Sequence, residues 1–408
     1  MTGTVDSSRS IHVEELSRLP VEEEPLEVVE RKGRGHPDSI CDGAMEQVAL
    51  RLGQEYLRLF GRIAHYNVDK ALLVAGRTEP RFGGGIVQEP MRLVLGGRAA
   101  YEAAGVTVPV EQVAFQAARD WLGDNLRFVD PIADCTLENA IKPGSTSLTE
   151  IYRRADITAN DTSIAVGYAP LTETERLVLA AEQHLNSPEL KLAHPESGED
   201  VKVLAIRRGG DLHVTVAMAF VDRFVDSEAT YFRQKAAIAA DLTSFLTAKA
   251  KRLRVDSVEL NTLDQAGRGE AGLYLTVLGT SAENGDDGQV GRGNQTNGLI
   301  ALNRPRSPEA AAGKNPVSHV GKLYSVLADV LADSIYQQVP GIREVYVRLV
   351  SQIGAPIDQP LLAWVQVLPA PGTSLARIEG PVRGVVAAGL ADIPSLSQRL
   401  LRGGYTVW

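Results

Sequence analysis

Residues 31–43, RKGRGHPDSICDG, concentrate groups that can bind a charged phosphate ligand. Three cationic side chains are interleaved with glycines, and His36 and Asp38 follow at once. Cations and exposed backbone N–H groups bind phosphate oxygens, and a carboxylate can hold the metal ion that accompanies a polyphosphate. Basic glycine-rich loops also occur as ordinary solvated turns, so this stretch alone leaves both interpretations open.

A second stretch, GTSAENGDDGQVGRGNQTNGLI at 279–300, combines glycines with the adjacent carboxylates of Asp286 and Asp287 and with Arg292. Glycines let a ligand approach the main chain, and neighbouring carboxylates can bind a divalent cation or a substrate ammonium group. The alternative is a flexible surface loop. The length of the stretch favours a functional role.

A third stretch, RPRSPEAAAGKNPVSHVGK at 304–322, places Gly313 and Lys314 just before a helical pattern. A lysine beside a glycine at the start of a helix can hold a phosphate with the help of backbone N–H groups. The glycine spacing differs from that of a P-loop, so the motif alone is weak. His319 alone is more typical of a packed or capping side chain, and Asp161, just before a strand-like run, is typical of a turn.

Helical and strand-like segments occur three times in the order helix–strand–strand. The three groups are 38–60 with 71–76 and 90–97, 228–252 with 255–262 and 271–279, and 321–339 with 343–350 and 361–368. This alternation predicts an α+β fold in which helices cover one face of each sheet. A further hairpin is predicted within 201–221, with its turn at Gly209 and Gly210.

We divide the chain into four parts on these patterns. They are a polar leader at 1–25 with a helical tendency at 13–16, a first domain at 26–145 with the HPD motif, a central domain at 146–260 that exchanges strands with the others, and a C-terminal domain at 261–408 with the GDDG and GKNP motifs.

Composition excludes several classes of protein. The net charge of -9 and the pI of about 5.4 argue against a general binder of nucleic acid or membrane surfaces. Two cysteines form neither a disulfide framework nor a zinc pattern, which favours a reducing cytoplasm. The N-terminal residues lack the apolar core of a signal peptide, and no apolar run is long enough to span a bilayer.

The blocks RKGRGHPDSICDG, GTSAENGDDGQVGRGN and EAAAGKNPVSHVGK, in this order and at these separations, resemble the archaeal-type S-adenosylmethionine synthetases, or methionine adenosyltransferases. The likeness runs from about Leu26 to the C-terminus. It implies three pseudo-repeated helix–strand–strand units around a pseudo-threefold axis. It also implies a homodimer, or a dimer of such dimers, with active sites at the subunit interface.

The resemblance implies that ATP, L-methionine and water yield S-adenosylmethionine, phosphate and diphosphate. Methionine sulfur attacks C5′ of the ribose in line, and the tripolyphosphate that leaves is then hydrolysed in place. Two Mg²⁺ ions, with K⁺ as a further candidate, are the implied cofactors.

The family roles carry over position by position. His36 is placed beside the ribose O5′, with Lys314 and Arg292 at the phosphates as further catalytic residues. Additional phosphate contacts are expected from Arg34, Lys202 and His319. Asp161 is expected at the adenosine and methionine site, and Asp286 at the methionine ammonium. Asp38 matches the Mg²⁺-binding aspartate of the HPD motif. The acidic residue that follows the bacterial GKDP motif has no partner near Gly321, so Asp287 and Asp42 are candidate further metal ligands that the family pattern does not assign.

Three positions depart from the pattern of related enzymes. Ser39 and Gly293 stand where bacterial and eukaryotic members have lysines, and Gln295 stands where the archaeal pattern has arginine. The candidates to replace the lost charge are Arg31, Lys32, Arg34, His319 and Lys322. Two other functions stay open: a nucleotide or polyphosphate hydrolase, and a non-catalytic regulatory subunit of the same fold.

Overall fold

The computed structural model describes residues 10–103, 105–144 and 157–408. These residues contain eight α-helices: α1 (Pro37–Phe60), α2 (Val110–Asn125), α3 (Glu173–Leu185), α4 (Pro188–Ala193), α5 (Glu228–Lys249), α6 (Val320–Gln338), α7 (Leu375–Ala391) and α8 (Ile393–Leu401). The strands are β1 (Ile11–Glu15), β2 (Leu26–Lys32), β3 (Tyr66–Val74), β4 (Arg77–Glu79), β5 (Ile86–Glu89), β6 (Met91–Ala99), β7 (Glu102–Ala103), β8 (Val106–Thr107), β9 (Cys135–Pro143), β10 (Ile164–Ala169), β11 (Ser197–Arg208), β12 (Asp211–Val221), β13 (Arg254–Leu260), β14 (Leu275–Thr276), β15 (Gly288–Gln289), β16 (Ile300–Ala301), β17 (Ile342–Val350) and β18 (Leu362–Pro369).

Three large sheets share one topology. Sheet 1 has the order β15-β3-β6-β9, sheet 2 contains β2-β11-β12-β13, and sheet 3 has the order β10-β17-β18-β1. In each sheet the two central strands are antiparallel to each other. The edge strand named first in these orders (β15, β2 or β10) is antiparallel to its neighbour, and the edge strand named last (β9, β13 or β1) is parallel to its neighbour. One supersecondary unit is therefore repeated three times.

In each unit, the strand that precedes the helix pairs in a different sheet from the one on which that helix packs. The strand β2 precedes α1, which packs on sheet 1, but β2 pairs with β11 in sheet 2. In the same way β10 precedes α3 of sheet 2 and pairs in sheet 3, and β15 precedes α6 of sheet 3 and pairs in sheet 1. This cyclic exchange joins the three units.

Each sheet has its own hydrophobic core beneath its helices. Helix α1, predicted at 38–60, has a fully buried apolar stripe: Ile40, Ala44, Val48 and Leu52 each have 0% exposure. Pro37 occupies the first helical turn, where its missing N–H is not needed, and Gly61 ends the helix in the left-handed conformation with φ 67°. Local sequence thus determines the limits of the helix that carries the HPD motif.

Two predicted elements need correction. The second repeat was predicted from the helix at 228–252 and the runs 255–262 and 271–279, but the central hairpin of sheet 2 is β11–β12, which turns at Gly209 and Gly210 as predicted. The helix α5 instead crosses over to the parallel edge strand β13, and in the run 271–279 only β14 pairs. The apolar residues of that run are buried, but they do not form continuous hydrogen-bonded pairing with a neighbouring strand. A strand-like sequence pattern cannot distinguish these two situations.

The N-terminal part is also different from its prediction. Residues 10–25 are not a helical leader, because β1 lies parallel to β18 at the edge of sheet 3 and buries Val13 to 5% exposure. Residues 1–9, and the predicted domain boundary at 145/146, lie outside the described residues. Across the described ranges, no helix has the length and apolar character needed to cross a membrane.

Candidate active site

A cavity of about 690 Å³ lies where α1, β11 and the loops of 261–286 meet. Its size suits a ligand as large as a nucleotide. The lining residues with charged or polar groups include His36, Asp200, Lys202, Asp264, Tyr274 and Asp286. Three of the predicted site residues, from distant parts of the sequence, therefore share one cavity.

His36 caps the N-terminus of α1. Its Nδ1 accepts a hydrogen bond from the backbone N–H of Asp38 at 3.2 Å. Burial lowers the pKa of His36; Asp200 opposes this shift, Lys32 adds to it, and the net pKa lies below its usual value. The neutral ring therefore carries its proton on Nε2, which can donate to an oxygen of a bound ligand.

Glycines bring the HPD motif against β11. The N–H of Gly33 donates to the carbonyl of Val201 at 2.6 Å, and that of Gly35 to the carbonyl of Glu199 at 3.0 Å. A Cβ added to Gly35 would lie 2.4 Å from the backbone nitrogen of Asp200, which is closer than atoms can approach. The glycine at 35 is thus required for His36 to lie beside the start of β11.

Asp200 is a site residue that the sequence analysis missed. Its Oδ2 accepts hydrogen bonds from the Ser281 backbone N–H at 2.8 Å, the Ser281 hydroxyl at 2.5 Å and the Tyr274 hydroxyl at 3.0 Å. Asp200 lies in the irregular part of β11, between Ser197 and Val201, so the two-residue period of a regular strand does not place its side chain, and the sequence offered no signal for it. The Lys202 ammonium lies 3.3 Å from Glu30 Oε2.

Asp38 is paired with a lysine of the same motif. Its Oδ2 accepts from Lys32 Nζ at 3.0 Å, and its Oδ1 accepts from the Gln289 backbone N–H at 2.9 Å. Lys32 Nζ also donates to the carbonyl oxygen of Arg292 at 2.7 Å. Of the candidates to replace lost positive charge, Lys32 is thus the one that reaches the HPD carboxylate.

The other two expected metal ligands bind backbone amides. Asp42 Oδ1 accepts from the Gly291 N–H at 2.9 Å, and burial raises the pKa of Asp42 to about 7. Asp287 Oδ1 accepts from the Ala75 N–H at 2.7 Å. Over the part of the chain that the structure describes, no three acidic, histidine or cysteine side chains converge as a metal site. A magnesium ion would fit here only with one or two carboxylates and the oxygens of a bound phosphate, which is its usual mode of binding.

Lys314 belongs to a second, buried cluster of charges. Its Nζ lies 2.6 Å from Asp69 Oδ2 and 3.0 Å from Glu309 Oε2. Burial would raise the pKa of Asp69, but Lys314 and Lys70 together lower it to about 2. Lys314 does not line the cavity that contains His36.

His319 lies in this second cluster and caps α6. Its Nδ1 accepts from the Gly321 N–H at 3.2 Å. Burial, together with the nearby Lys314, lowers the pKa of His319 to about 3. A neutral imidazole cannot replace a lost positive charge, although its Nε2 can still donate a hydrogen bond.

The remaining predicted residues also lie outside the cavity lining. Arg34 and Arg292 are exposed. Asp161 lies just before β10, and its Oδ1 accepts from the Thr162 N–H at 2.7 Å, which is the turn role that its position suggested. Within one chain the structure therefore unites His36, Lys202 and Asp286 but separates them from Lys314.

Comparison with known proteins identifies the family. The sequence model of the S-adenosylmethionine synthetase (AdoMet synthetase) family matches residues 9–404. The S-adenosylmethionine synthase of Methanothermobacter thermautotrophicus is 43% identical over 97% of this chain and 98% of its own length. That of Pyrococcus furiosus is 45% identical over 98% of this chain and 100% of its own length. A probable S-adenosylmethionine synthase of Aquifex aeolicus is 43% identical over 98% and 100%.

A solved structure supports the fold. An S-adenosylmethionine synthetase from Campylobacter jejuni, described as unusual, superposes with a TM-score of 0.61 and 14% identity, covering 91% of this chain and 90% of that one. The predicted α+β fold with three helix–strand–strand units around a pseudo-threefold axis is confirmed. So is the resemblance to archaeal-type enzymes. The chain belongs to the S-adenosylmethionine synthetase family.

Proposed function

We propose that this chain is a methionine adenosyltransferase that converts ATP, L-methionine and water into S-adenosylmethionine, phosphate and diphosphate. The observation that carries the proposal is the cavity shared by His36, Lys202 and Asp286, in a chain whose relatives of 43% to 46% identity are named for this product. The comparisons support neither a plain hydrolase nor a regulatory subunit.

The residues of the cavity match the demands of this chemistry. A thioether sulfur has no proton to lose, so the attack on C5′ needs no general base. The difficulty is the leaving tripolyphosphate, on which negative charge accumulates, so catalysis depends on positioning and electrostatic stabilisation. We assign His36 Nε2–H as the donor to O5′, the Lys202 ammonium as a partner of the phosphates, and the exposed Asp286 carboxylate as the partner of the methionine ammonium.

Metal binding is assigned to the HPD carboxylate. Asp38 would hold Mg²⁺ together with phosphate oxygens, and Asp42 and Asp287 are the further candidates. Bound magnesium would neutralise phosphate charge as the leaving group departs. For that, Lys32 Nζ, now 3.0 Å from Asp38 Oδ2, would move toward the phosphates. Two magnesium ions and a K⁺ ion remain predictions from the resemblance.

We further propose a homodimer, or a dimer of such dimers, with each active site between two subunits. His36 precedes α1, and the GKNP loop contacts α1 at Glu46, about 15 Å further along the helix axis. We therefore place His36 and Lys314 of one chain in two different active sites. Contacts of Arg34, Arg292, His319 and Asp161 with substrate remain predictions. The cytoplasm is the proposed compartment, since both cysteines are free and buried.

The test is a product assay with the purified chain, ATP and Mg²⁺, with and without methionine. The expected result is equimolar S-adenosylmethionine, phosphate and diphosphate, formed only when methionine is present. Phosphate release without methionine and without any sulfonium product would establish a hydrolase. An inactive homo-oligomer that becomes active when another chain is added would establish a regulatory subunit.

A further inference from the structure

Helix α1 carries a row of carboxylates, Asp38, Asp42 and Glu46, at intervals of four residues along one face. Each accepts a hydrogen bond from a backbone N–H in the last third of the chain. The donors, in the same order, are Gln289 at 2.9 Å, Gly291 at 2.9 Å and Gly313 at 3.0 Å. One helix face therefore fixes both glycine-rich loops of the site.

Glu46 is the member of this row to which the mechanism gives no role. Its side chain is buried, with 7% of the residue exposed. Its Oε2 accepts from the Gly313 N–H at 3.0 Å and from Lys322 Nζ at 2.7 Å, and its Oε1 accepts from Lys322 Nζ at 2.8 Å. Lys322 is itself fully buried, and thus the pair is a rigid anchor rather than a surface ion pair.

The anchored glycine has little freedom to move. Gly313 has a φ of +77°, and a Cβ added there would lie 2.4 Å from the carbonyl oxygen of Val68. Its own carbonyl accepts from the Val68 N–H at 2.9 Å. The loop is therefore clamped between α1 on one side and β3 on the other, immediately before Lys314.

We propose that Glu46 is a positioning residue for Lys314. The Glu46 carboxylate fixes the Gly313 amide, and the next residue in the chain directs its ammonium group at the Asp69 carboxylate, 2.6 Å away. Loss of the acceptor at residue 46 frees the loop and misplaces this ammonium. A displacement of about 1 Å in a positioning group can lower a rate about 100-fold. The inference rests on the proposed function in one respect, that Lys314 contacts the phosphates.

Two double variants isolate the amide contact. Glu46→Gln with Lys322→Met keeps an oxygen that accepts from the Gly313 N–H, whereas Glu46→Met with Lys322→Met removes it. Neither variant leaves a buried charge without a partner. We expect the first to retain kcat within about fivefold and the second to lose about 100-fold, with KM for methionine changed less than about twofold in both. Equal kcat values in the two variants would overturn the proposal.

Each variant leaves one buried polar group without a partner, the glutamine NH₂ in the first and the Gly313 N–H in the second. The two kcat values are therefore compared at a temperature at which denaturant unfolding shows both variants to be fully folded, so that a difference in stability does not enter the comparison. If neither variant folds, amide hydrogen exchange of Gly313 in the wild-type protein decides. We expect exchange at least about 100-fold slower than in an exposed loop, and exchange at the exposed-loop rate would overturn the proposal. A wild-type protein that forms no S-adenosylmethionine would refute the proposed function, while the exchange result still judges the anchor.

Discussion

At the first turn of α1, His36 uses its two ring nitrogens differently. Nδ1 accepts the Asp38 N–H and completes the helix cap, so the proton of the neutral ring lies on Nε2, and burial keeps the ring neutral by lowering its pKa. The cap fixes the orientation of the ring, so the donor is aimed before substrate arrives. Preorganised donors of this kind stabilise charge that develops in a transition state without reorganising.

Substitution separates these two roles. His36→Asn keeps a capping oxygen but removes the Nε2 donor, whereas His36→Ala removes both. We expect both variants to lower kcat by about 100-fold to 1,000-fold. Only the alanine variant should lose about 1 kcal/mol of unfolding free energy through the cap. Steady-state kinetics and denaturant unfolding measure the two effects, and an asparagine variant with near wild-type kcat would exclude the donor role.

At the scale of elements, the site depends on close backbone contacts between segments. The 33–36 loop runs beside β11, and the 281–286 turn is held to Asp200 by two hydrogen bonds from Ser281. The contacts of Gly33 and Gly35 with β11 join main-chain atoms, so side-chain repacking cannot relieve a change there. The geometry of the cavity is consequently sensitive to single added atoms.

Gly35→Ala tests this sensitivity. The added methyl would lie 2.4 Å from a backbone nitrogen, which forces the loop away from β11. We expect a loss of about 1 to 3 kcal/mol in unfolding free energy and at least a tenfold fall in kcat/KM. Gly210→Ala is the matched control, because its Cβ would meet nothing within 4 Å, and it should change stability by less than about 0.5 kcal/mol. Equal behaviour of the two variants would contradict the account.

The turn that follows β14 predicts a pH dependence. Glu283 accepts the backbone N–H groups of Val277 and Leu278, and burial raises the pKa of Glu283 to about 7. The folded protein thus holds this proton more tightly than the unfolded chain does. The stabilisation is complete below about pH 4.5 and is lost as the pH rises toward 7.

Glu283→Gln should therefore flatten the pH dependence of the unfolding free energy. The difference between variant and wild type should amount to as much as about 3 kcal/mol across this range, at about 1.4 kcal/mol per unit of pKa shift. Denaturant unfolding at several pH values between 4 and 8 measures it. Parallel curves for the two proteins would show that Glu283 does not titrate in this way.

At the scale of the whole molecule, the cavity forms between sheets 1 and 2. His36 precedes the helix over sheet 1, Lys202 comes from a strand of sheet 2, and Asp286 lies in the loop that joins β14 of sheet 2 to β15 of sheet 1. The cyclic exchange of strands holds these segments in one arrangement. Lys314, in its separate cluster, is the group that a second subunit would bring to the cavity.

Mixing two inactive variants tests this assembly. In a mixed dimer of His36→Asn and Lys314→Ala chains, one site would contain both substitutions and the other would be intact. After dissociation and reassociation of equal amounts, we expect about a quarter of wild-type activity, since half of the dimers are mixed. Each variant reassociated with itself is the control. No recovery in verified mixed dimers would show that both residues act within one chain.

Local patterns predicted the motifs and the three helices at 38–60, 228–252 and 321–339, but neither the other five described helices nor the pairing of most strands. The apolar stripe of α1 and the hairpin at Gly209 follow from local sequence, and His36 and Asp286 could be selected by residue type. Lys202 was selected only through the family resemblance. Asp200 could not be selected, because its role depends on Ser281, 81 residues away. Likewise β1 reads as a polar leader until it pairs with β18 at the other end of the chain. Contacts of this kind join residues that are far apart in the chain, and no local period reveals them.

The most direct measurement is a crystal structure of the protein with a non-hydrolysable ATP analogue, Mg²⁺ and methionine. We expect O5′ and the phosphates within about 3 Å of His36 Nε2 and Lys202 Nζ, with the methionine ammonium at Asp286. A nucleotide bound outside the cavity between α1 and β11 would contradict this expectation.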